Sequence, residues 1–298
     1  MKNCHITKQS KCFFEGWYLK HQKGSQTISF IPGVHITENG IKKAFIQIIS
    51  NDKSYVIDYD YKDFHASKHR FYIKIGDNIF CDKGIIVNIH TPEINCSGKI
   101  YYRHLTPPAY DIMGPFAILP KMECNHGILS LYHTLKGFLA INGSIVSFSD
   151  GVGYIEKDWG CSFPQSYTWI QCNAFQGIDS NEKRAVMICL ADIPLKHLSF
   201  QGVIAVVYYK GKEYRLASYN GGKIIHHTPR KIILEKGKYR LIATVRKSPG
   251  KPLKAPDAGD MTRTAHECIA CEAHFEFFYG NQKIFSCSSN NTSYEYAT

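Results

Sequence analysis

Short apolar runs separated by turn residues follow one another along almost the whole chain. They are rich in Ile, Val, Phe and Tyr, which is typical of β-strands. In the first half the runs are Thr27–Val34, Lys43–Ser50, Ser54–Tyr59, Gly84–Ile89, Gly98–Arg103, Ile128–His133 and Lys136–Ile141. In the second half they are Thr168–Ala174, Ala185–Ala191, Gly202–Tyr209, Glu213–Tyr219, Arg230–Glu235, Lys238–Lys247, Glu272–Tyr279 and Gln282–Cys287. Since no long run has the helical period, the pattern predicts an all-β fold.

So many strands exceed one small barrel, and we therefore predict two antiparallel β-barrels in tandem, formed by residues 1–150 and 151–298. The boundary is placed at the turn Ser149-Asp150-Gly151. The segment Ser248–Gly259 contains three prolines. Because proline cannot donate a hydrogen bond to a central strand, this segment is predicted to be a long ordered loop or a lid.

The strand around Trp169 joins an aromatic ring to two amides. Alternation places Trp169, Gln171 and Asn173 on one face and Ile170 and Cys172 on the other. The second face is predicted to pack in a core. The first is typical either of a mostly apolar ligand pocket with oriented polar groups or of a Trp at a barrel mouth beside solvated amides.

Carboxylates lie among aromatic residues in two further segments. In Gly153–Asn173 (GYIEKDWGCSFPQSYTWIQCN), Tyr154, Glu156 and Asp158 share one face of an extended chain, with Ile155, Lys157 and Trp159 opposite. In Cys12–Tyr18 (CFFEGWY), Glu15 and Trp17 share one face, with Phe14 and Tyr18 opposite. Such carboxylates form either simple ion pairs with Lys or buried groups of functional importance.

Several separated motifs resemble tocopherol cyclases and their bacterial relatives in content and order. They are FFEGWY at Phe13–Tyr18, the Gly-Tyr-x-Glu-Lys-x-Trp-Gly-x-x-Phe-Pro stretch at Gly153–Pro164, the Trp-x-Gln-x-Asn strand at Trp169–Asn173, and Pro252–Pro256. The stretches Gly114–Phe116 and Glu123–Gly127 look like the bacterial branch. Asp158 stands where the plant motif is expected to have Asn, which leaves the substrate open.

The resemblance implies two lipocalin-like barrels that hold an apolar ligand, either a prenylated quinol or a related isoprenoid. The reaction it implies adds a phenolic O–H across a side-chain double bond and needs no cofactor. We assign Glu15 and Glu156 as candidate acids, whose pKa values burial would raise, and Tyr18 and Asp158 as proton relays. Candidate substrate-binding residues are Trp17, Trp159, Trp169, Gln171, Asn173 and His126. A lipocalin-like carrier without turnover is the alternative.

Composition and cysteine usage indicate a globular cytoplasmic protein. Of the 298 residues, 44% are apolar and 20% charged, which excludes general disorder. The N-terminal residues lack the apolar core of a signal peptide, and no apolar run is long enough to span a bilayer. The 11 irregularly spaced cysteines are expected to be reduced. Cys268 and Cys271 should face opposite sides of a strand, and no metal site is predicted.

Positive charge is concentrated late in the chain. The formal net charge is +11, and residues 223–254, hereafter the basic segment, hold ten Lys or Arg against one Glu. A solvated basic face, attraction to an anionic membrane and nucleic-acid binding are three interpretations. Without a nucleic-acid-binding motif we predict no nucleic-acid partner and retain peripheral contact with an anionic membrane as a possibility.

Overall fold

The computed structural model describes residues 4–6, 11–118, 122–178, 182–195, 198–246 and 249–297. These residues form two antiparallel sheets, and their only helical elements are three short 3-10 turns at Tyr61–Asp63, Gly114–Ile118 and Ser218–Asn220. Within these ranges, none of the helical elements is long and apolar enough to cross a membrane. The predicted all-β class and the pair of antiparallel sheets are confirmed, although neither sheet closes on itself.

The first sheet contains twelve strands. They are β1 (Phe13–Lys23), β2 (Gln26–Ile36), β3 (Lys42–Ser50), β4 (Ser54–Asp60), β5 (Phe64–Ala66), β6 (Tyr72–Ile75), β7 (Asn78–Cys81), β8 (Gly84–His90), β9 (Asn95–Arg103), β10 (Cys124–Ile141), β11 (Ser144–Ser147) and β12 (Val152–Gly160). Their order is β4-β3-β2-β1-β12-β10-β9-β8-β7-β6-β5, and β11 also pairs with β10. Strand β12 is therefore held between β1 and β10 in the middle of the sheet.

The second sheet contains ten strands. They are β13 (Tyr167–Cys172), β14 (Arg184–Leu195), β15 (Leu198–Tyr209), β16 (Lys212–Ala217), β17 (Lys223–Thr228), β18 (Lys231–Lys236), β19 (Tyr239–Val245), β20 (Lys251–Asp257), β21 (Asp260–Tyr279) and β22 (Gln282–Ala297). Their order is β16-β15-β14-β13-β22-β21-β19-β18-β17, and β20 also pairs with β21.

Alternating apolar positions produce the two hydrophobic cores. In β8, Ile85, Val87 and Ile89 are buried in the first core while the residues between them are exposed. In β13, Ile170 and Cys172 lie in the second core, as the sequence predicts. Strands β1 and β12 differ from β8 because residues on both of their faces are buried. This burial on both faces is what surrounds their polar side chains with protein.

The chain divides into two compact units at a different place from the predicted boundary. The first unit comprises residues 1–112, 119–163 and 253–264, and the second comprises residues 113–118, 164–252 and 265–298. The predicted division after residue 150 separates β12 from β1 and β10, with which it pairs. Because β12 pairs with strands that are distant in sequence, it stays in the first unit, and the division expected after residue 150 falls after Phe163.

The proline-rich segment is a strand, where a loop or lid is predicted from the sequence. Residues Lys251–Asp257 form β20 and pair with β21 across a turn at Ala258 and Gly259. Proline is tolerated here because β20 lies at an edge, where β21 is its sole partner among the described strands.

Two disulfides correct the expectation that all cysteines are reduced. Cys12, just before β1, is bonded to Cys161, just after β12. Cys268 and Cys271 are bonded to each other within β21, and the seven other cysteines are free. The register of β21 against β22 shifts between Cys268 and Cys271. This β-bulge brings onto one side two residues that a regular strand would place on opposite faces.

Candidate functional site

The central strand pair β1 and β12 carries two polar clusters, one on each face. Glu15 is opposite Trp159, and Trp17 is opposite Lys157. These four residues share the face that bears Trp17 in the first core. Tyr18 is opposite Glu156 on the other face, because side chains alternate along each strand.

The first cluster surrounds Glu15, whose side chain is fully buried. The Lys157 ammonium lies 2.7 Å from Glu15 Oε1. The His5 backbone N–H lies 2.9 Å from both carboxylate oxygens, and the Ile6 N–H donates to Oε2 over 3.1 Å. The His5 ring nitrogen Nδ1 is 3.1 Å from Oε1, and the ring stacks on Trp159 with centroids 4.2 Å apart. The carboxylate is thus held by an ion pair and several donors.

These contacts keep Glu15 ionised. Burial alone would raise the pKa of Glu15, but hydrogen bonding to His5 and the charge of Lys157 outweigh burial and lower it. The expectation of a raised pKa is therefore wrong for this residue. Burial lowers the pKa of Lys157, and the charge of Glu15 opposes that shift. The Lys157 ammonium also lies 5.3 Å from the ring centroid of Trp17 and 4.8 Å from that of Trp159.

The second cluster, which we call the His126 cluster, comprises His126, Tyr154, Glu156 and Asp158. His126 Nδ1 lies 2.8 Å from Asp158 Oδ1, and His126 Nε2 lies 3.5 Å from Glu156 Oε2. The Tyr154 hydroxyl donates to the same Glu156 oxygen over 2.5 Å. The register explains this arrangement, since His126 on β10 is directly opposite Asp158 on β12. The imidazole therefore hydrogen-bonds to Asp158 through Nδ1, whereas its buried Nε2 makes no hydrogen bond to a described residue and lies within ion-pair distance of Glu156.

This arrangement favours the imidazolium form of His126. Burial by itself would lower the pKa of His126, but the negative charges of Glu156 and Asp158 and the hydrogen bond to Asp158 outweigh it and raise the pKa to about 9. Burial, together with the charge of Glu156, raises the pKa of Tyr154 well above its usual value, so its hydroxyl remains a donor at neutral pH. The His126 cluster thus holds a protonated imidazole beside two carboxylates.

The same cluster contains ligand types that divalent metals use. One ligand atom each from His126, Glu156 and Asp158 lies within 4.8 Å of the others. Both ring nitrogens of His126 are directed at carboxylates, however, and this fits a proton-bearing imidazolium. A cation at this position would have to displace that proton.

The candidate residues from the sequence fall into three groups. Glu15, Trp17 and Trp159 belong to the first cluster, whereas Tyr18, Glu156, Asp158 and His126 share the opposite face. Glu15 and Glu156, the two candidate acids, therefore lie on opposite faces of the first sheet. Trp169, Gln171 and Asn173 are buried in the second unit, on or just after β13.

Three residues of these clusters were not among the sequence candidates. Tyr154 could have been found, because the alternation that groups Glu156 with Asp158 also includes Tyr154. Lys157 appears in the family motif but was assigned no partner. Nothing in the local sequence connects His5 with Glu15, although the structure brings their side chains into contact.

The second unit also contains an open cleft of about 610 Å³. Arg230, Arg246 and His274 are among the residues that line it. None of the candidate residues from the sequence lines this cleft. One of the two arginines of this cleft, Arg246, already forms an ion pair with Glu272 at 2.9 Å.

The two antiparallel sheets define an all-β protein of tandem lipocalin-like units, and solved structures of this class resemble the chain. The structure of CghA superposes with a TM-score of 0.60 at 8% identity, covering 96% of this chain and 88% of that one. A putative AttH from Nitrosomonas europaea gives a TM-score of 0.51 at 11% identity, covering 95% of this chain and 91% of that one. At such identities the likeness concerns the fold alone.

Sequence comparison identifies the family. The sequence profile described as "Tocopherol cyclase-like" matches residues 102–296, and the chain belongs to this family. A probable chloroplastic tocopherol cyclase from Oryza sativa subsp. japonica is 27% identical over 138 residues, which are 46% of this chain and 29% of that protein. The chloroplastic tocopherol cyclase of Zea mays is 26% identical over 108 residues, 36% of this chain and 23% of that protein. The match spans under a third of either relative.

Proposed function

We propose that the protein is a cyclase-like enzyme that adds a phenolic O–H across a side-chain double bond of a prenylated quinol or related isoprenoid. Family membership supports cyclase-like chemistry. The observation that carries the proposal is the buried His126 cluster, in which the imidazole hydrogen-bonds to Asp158 and lies 3.5 Å from Glu156, whose carboxylate accepts from the Tyr154 hydroxyl. Perturbed titrating groups gathered in one buried cluster are typical of acid–base sites.

The proton balance of the reaction fits such a cluster. Transfer of a His126 proton to Glu156 or Asp158 produces a neutral carboxylic acid, which can protonate the double bond at carbon. The phenolic oxygen forms the new C–O bond to the resulting cationic carbon, and its proton returns to the cluster. No electron is gained or lost. Tyr154 keeps Glu156 oriented throughout by donating its O–H.

Glu15 has a different role in this proposal. Its pKa is lowered and its oxygens accept from His5, Ile6 and Lys157, so it carries no proton to donate at neutral pH. We assign Glu15 to holding His5, Ile6 and the buried Lys157 in place.

The test is turnover of prenylated hydroquinones in H₂O and in D₂O, followed by chromatography and mass spectrometry. Cyclisation yields an isomer with the mass of the substrate, and D₂O adds one carbon-bound deuteron. A product heavier by one water would indicate hydration. Binding without product, at any pH at which the protein is folded, supports the alternative of a non-catalytic lipocalin-like carrier.

Matched variants identify the acid. Glu156→Gln is expected to abolish or strongly reduce turnover while retaining ligand binding. Asp158→Asn, which introduces the residue expected in the plant motif, and Glu15→Gln should retain turnover wherever they remain folded. Turnover should fall as pH rises through about 9, where His126 loses its proton, and His126→Gln, which has no such proton to supply, should lose most turnover below pH 9 as well. Loss of turnover in Glu15→Gln alone would transfer the acid role to the other cluster.

A further inference from the structure

One face of the first sheet combines exposed apolar side chains with positively charged ones. On the side of strands β5 to β11 that faces away from the first core, Ile86, Tyr101, Phe138 and Ile145 are 36%, 55%, 55% and 75% exposed. The register makes Lys99 the cross-strand neighbour of both Ile86 and Phe138, and it places Tyr101 opposite Lys136. Ala140, two residues beyond Phe138, is opposite Ile145. The apolar side chains therefore form one patch with lysines inside it.

The charge on this face has a single sign. Its strand residues include the cations Lys74, Lys99, Arg103 and Lys136, all exposed. Within Phe64–Arg103 and Thr134–Ser147, which the structure describes completely, the only acidic residues are Asp77, Asp82 and Glu93. All three lie in turns between strands and not on the face itself. We call this surface, made by the outward residues of β5 to β11, the basic sheet face.

We propose that the basic sheet face docks on an anionic lipid bilayer. Four cations on a face without carboxylates complement a negatively charged surface, and the same charges disfavour contact with the same face of a second copy. Exposed aromatic and aliphatic side chains beside lysines suit the boundary between headgroups and acyl chains, where the apolar groups enter the membrane and the ammonium groups remain at its surface.

The basic segment provides a less favourable surface for the same role, although it holds more cations. Arg240 is paired with Glu235 at 2.6 Å and Arg246 with Glu272 at 2.9 Å. The Lys236 ammonium donates to the Arg215 carbonyl. Part of its charge is thus already engaged within the protein. This docking surface does not depend on the proposed reaction, since it uses none of the residues of the His126 cluster.

Vesicle sedimentation tests the proposal. The full chain is mixed with phosphatidylcholine vesicles and with vesicles that also contain phosphatidylserine, at low and at high salt. We expect binding to the anionic vesicles that weakens with salt. The double variant Lys99→Gln/Lys136→Gln should lower the partition coefficient about 25-fold, at about fivefold per cation. Phe138→Ala/Ile145→Ala should also weaken binding while leaving its salt dependence in place.

The matched control is Lys223→Gln/Lys231→Gln, which removes the same charge from exposed positions of the basic segment. It should retain most of the binding. A loss in the control equal to or greater than that in Lys99→Gln/Lys136→Gln would overturn the proposal, as would equal binding to neutral and anionic vesicles. Sedimentation velocity without lipid gives a second check. Self-association that the Phe138→Ala/Ile145→Ala change abolishes would make this face a contact between copies and refute membrane docking.

Discussion

Replacing Glu15 by Gln should leave a buried ammonium without its counter-ion. Glutamine has nearly the same shape and retains one oxygen for the His5 and Ile6 N–H groups, so the main change is the lost charge. Lys157 is 1% exposed and its ammonium lies 2.7 Å from Glu15. Removing one partner of a buried pair costs about 3–5 kcal/mol in free energy of unfolding.

Deprotonation of Lys157 sets an upper limit to that cost. Lysine in the unfolded chain has a pKa of about 10.4, so neutralising it at pH 7 costs about 4.6 kcal/mol and at pH 9 about 1.9 kcal/mol. In the variant, the folded pKa of Lys157 lies below the unfolded value. The unfolded state then binds more protons, and the stability of the variant rises with pH. The destabilisation relative to the wild type should accordingly shrink between pH 7 and pH 9.

Urea denaturation at both pH values measures this effect. Trp17 and Trp159 report on the first unit, and a Trp169→Phe background removes the signal from the second unit. Lys157→Met should also destabilise, while the double variant Glu15→Gln/Lys157→Met should cost clearly less than the sum of the single changes. Glu38→Gln, at an exposed position, is the control and should change stability by no more than about 0.5 kcal/mol. A cost for Glu15→Gln below about 1 kcal/mol at pH 7, or a cost that does not shrink at pH 9, would refute the reasoning.

Two further predictions concern the framework around the clusters. A Cβ added at Gly153 would lie 2.3 Å from the buried His133 ring, so Gly153→Ala should destabilise the protein by about 1–3 kcal/mol in thermal melts. Gly16→Ala is the control and should cost less, because the nearest atom to its added Cβ is 3.9 Å away. Equal costs for the two changes would contradict the steric argument. Loop-closure entropy predicts that Cys161→Ala, which opens a disulfide spanning 149 residues, lowers the free energy of unfolding by about 5 kcal/mol. Cys271→Ala opens a disulfide spanning three residues and should lower it by about 1.6 kcal/mol. Equal melting temperatures of the two variants under oxidising conditions would contradict the entropy argument.

Properties that repeat within one strand could be predicted from the sequence. Side chains alternate every two residues, so the assignment of Ile170 and Cys172 to a core and the grouping of Glu15 with Trp17 follow from local pattern and are confirmed. Prediction failed where local pattern was irregular: two predicted strands are one continuous β10, whose pairing with β12 shifts register twice.

Only the tertiary structure decided which strands pair and what their side chains meet. The register that opposes Glu15 to Trp159 joins residues more than a hundred positions apart, and no local period encodes such a pairing. The pairing of β12 with β1 and β10 also brings Lys157 into an ion pair with Glu15 and His126 into contact with Asp158. These partners lower the pKa of Glu15, against expectation, and raise the pKa of His126. In both cases the neighbouring charges and hydrogen bonds shift the pKa more than burial does. The sequence by itself determined the family, the all-β class and the faces of regular strands such as β13, while the fold decided which carboxylate forms an ion pair with a lysine and which lies beside a histidine.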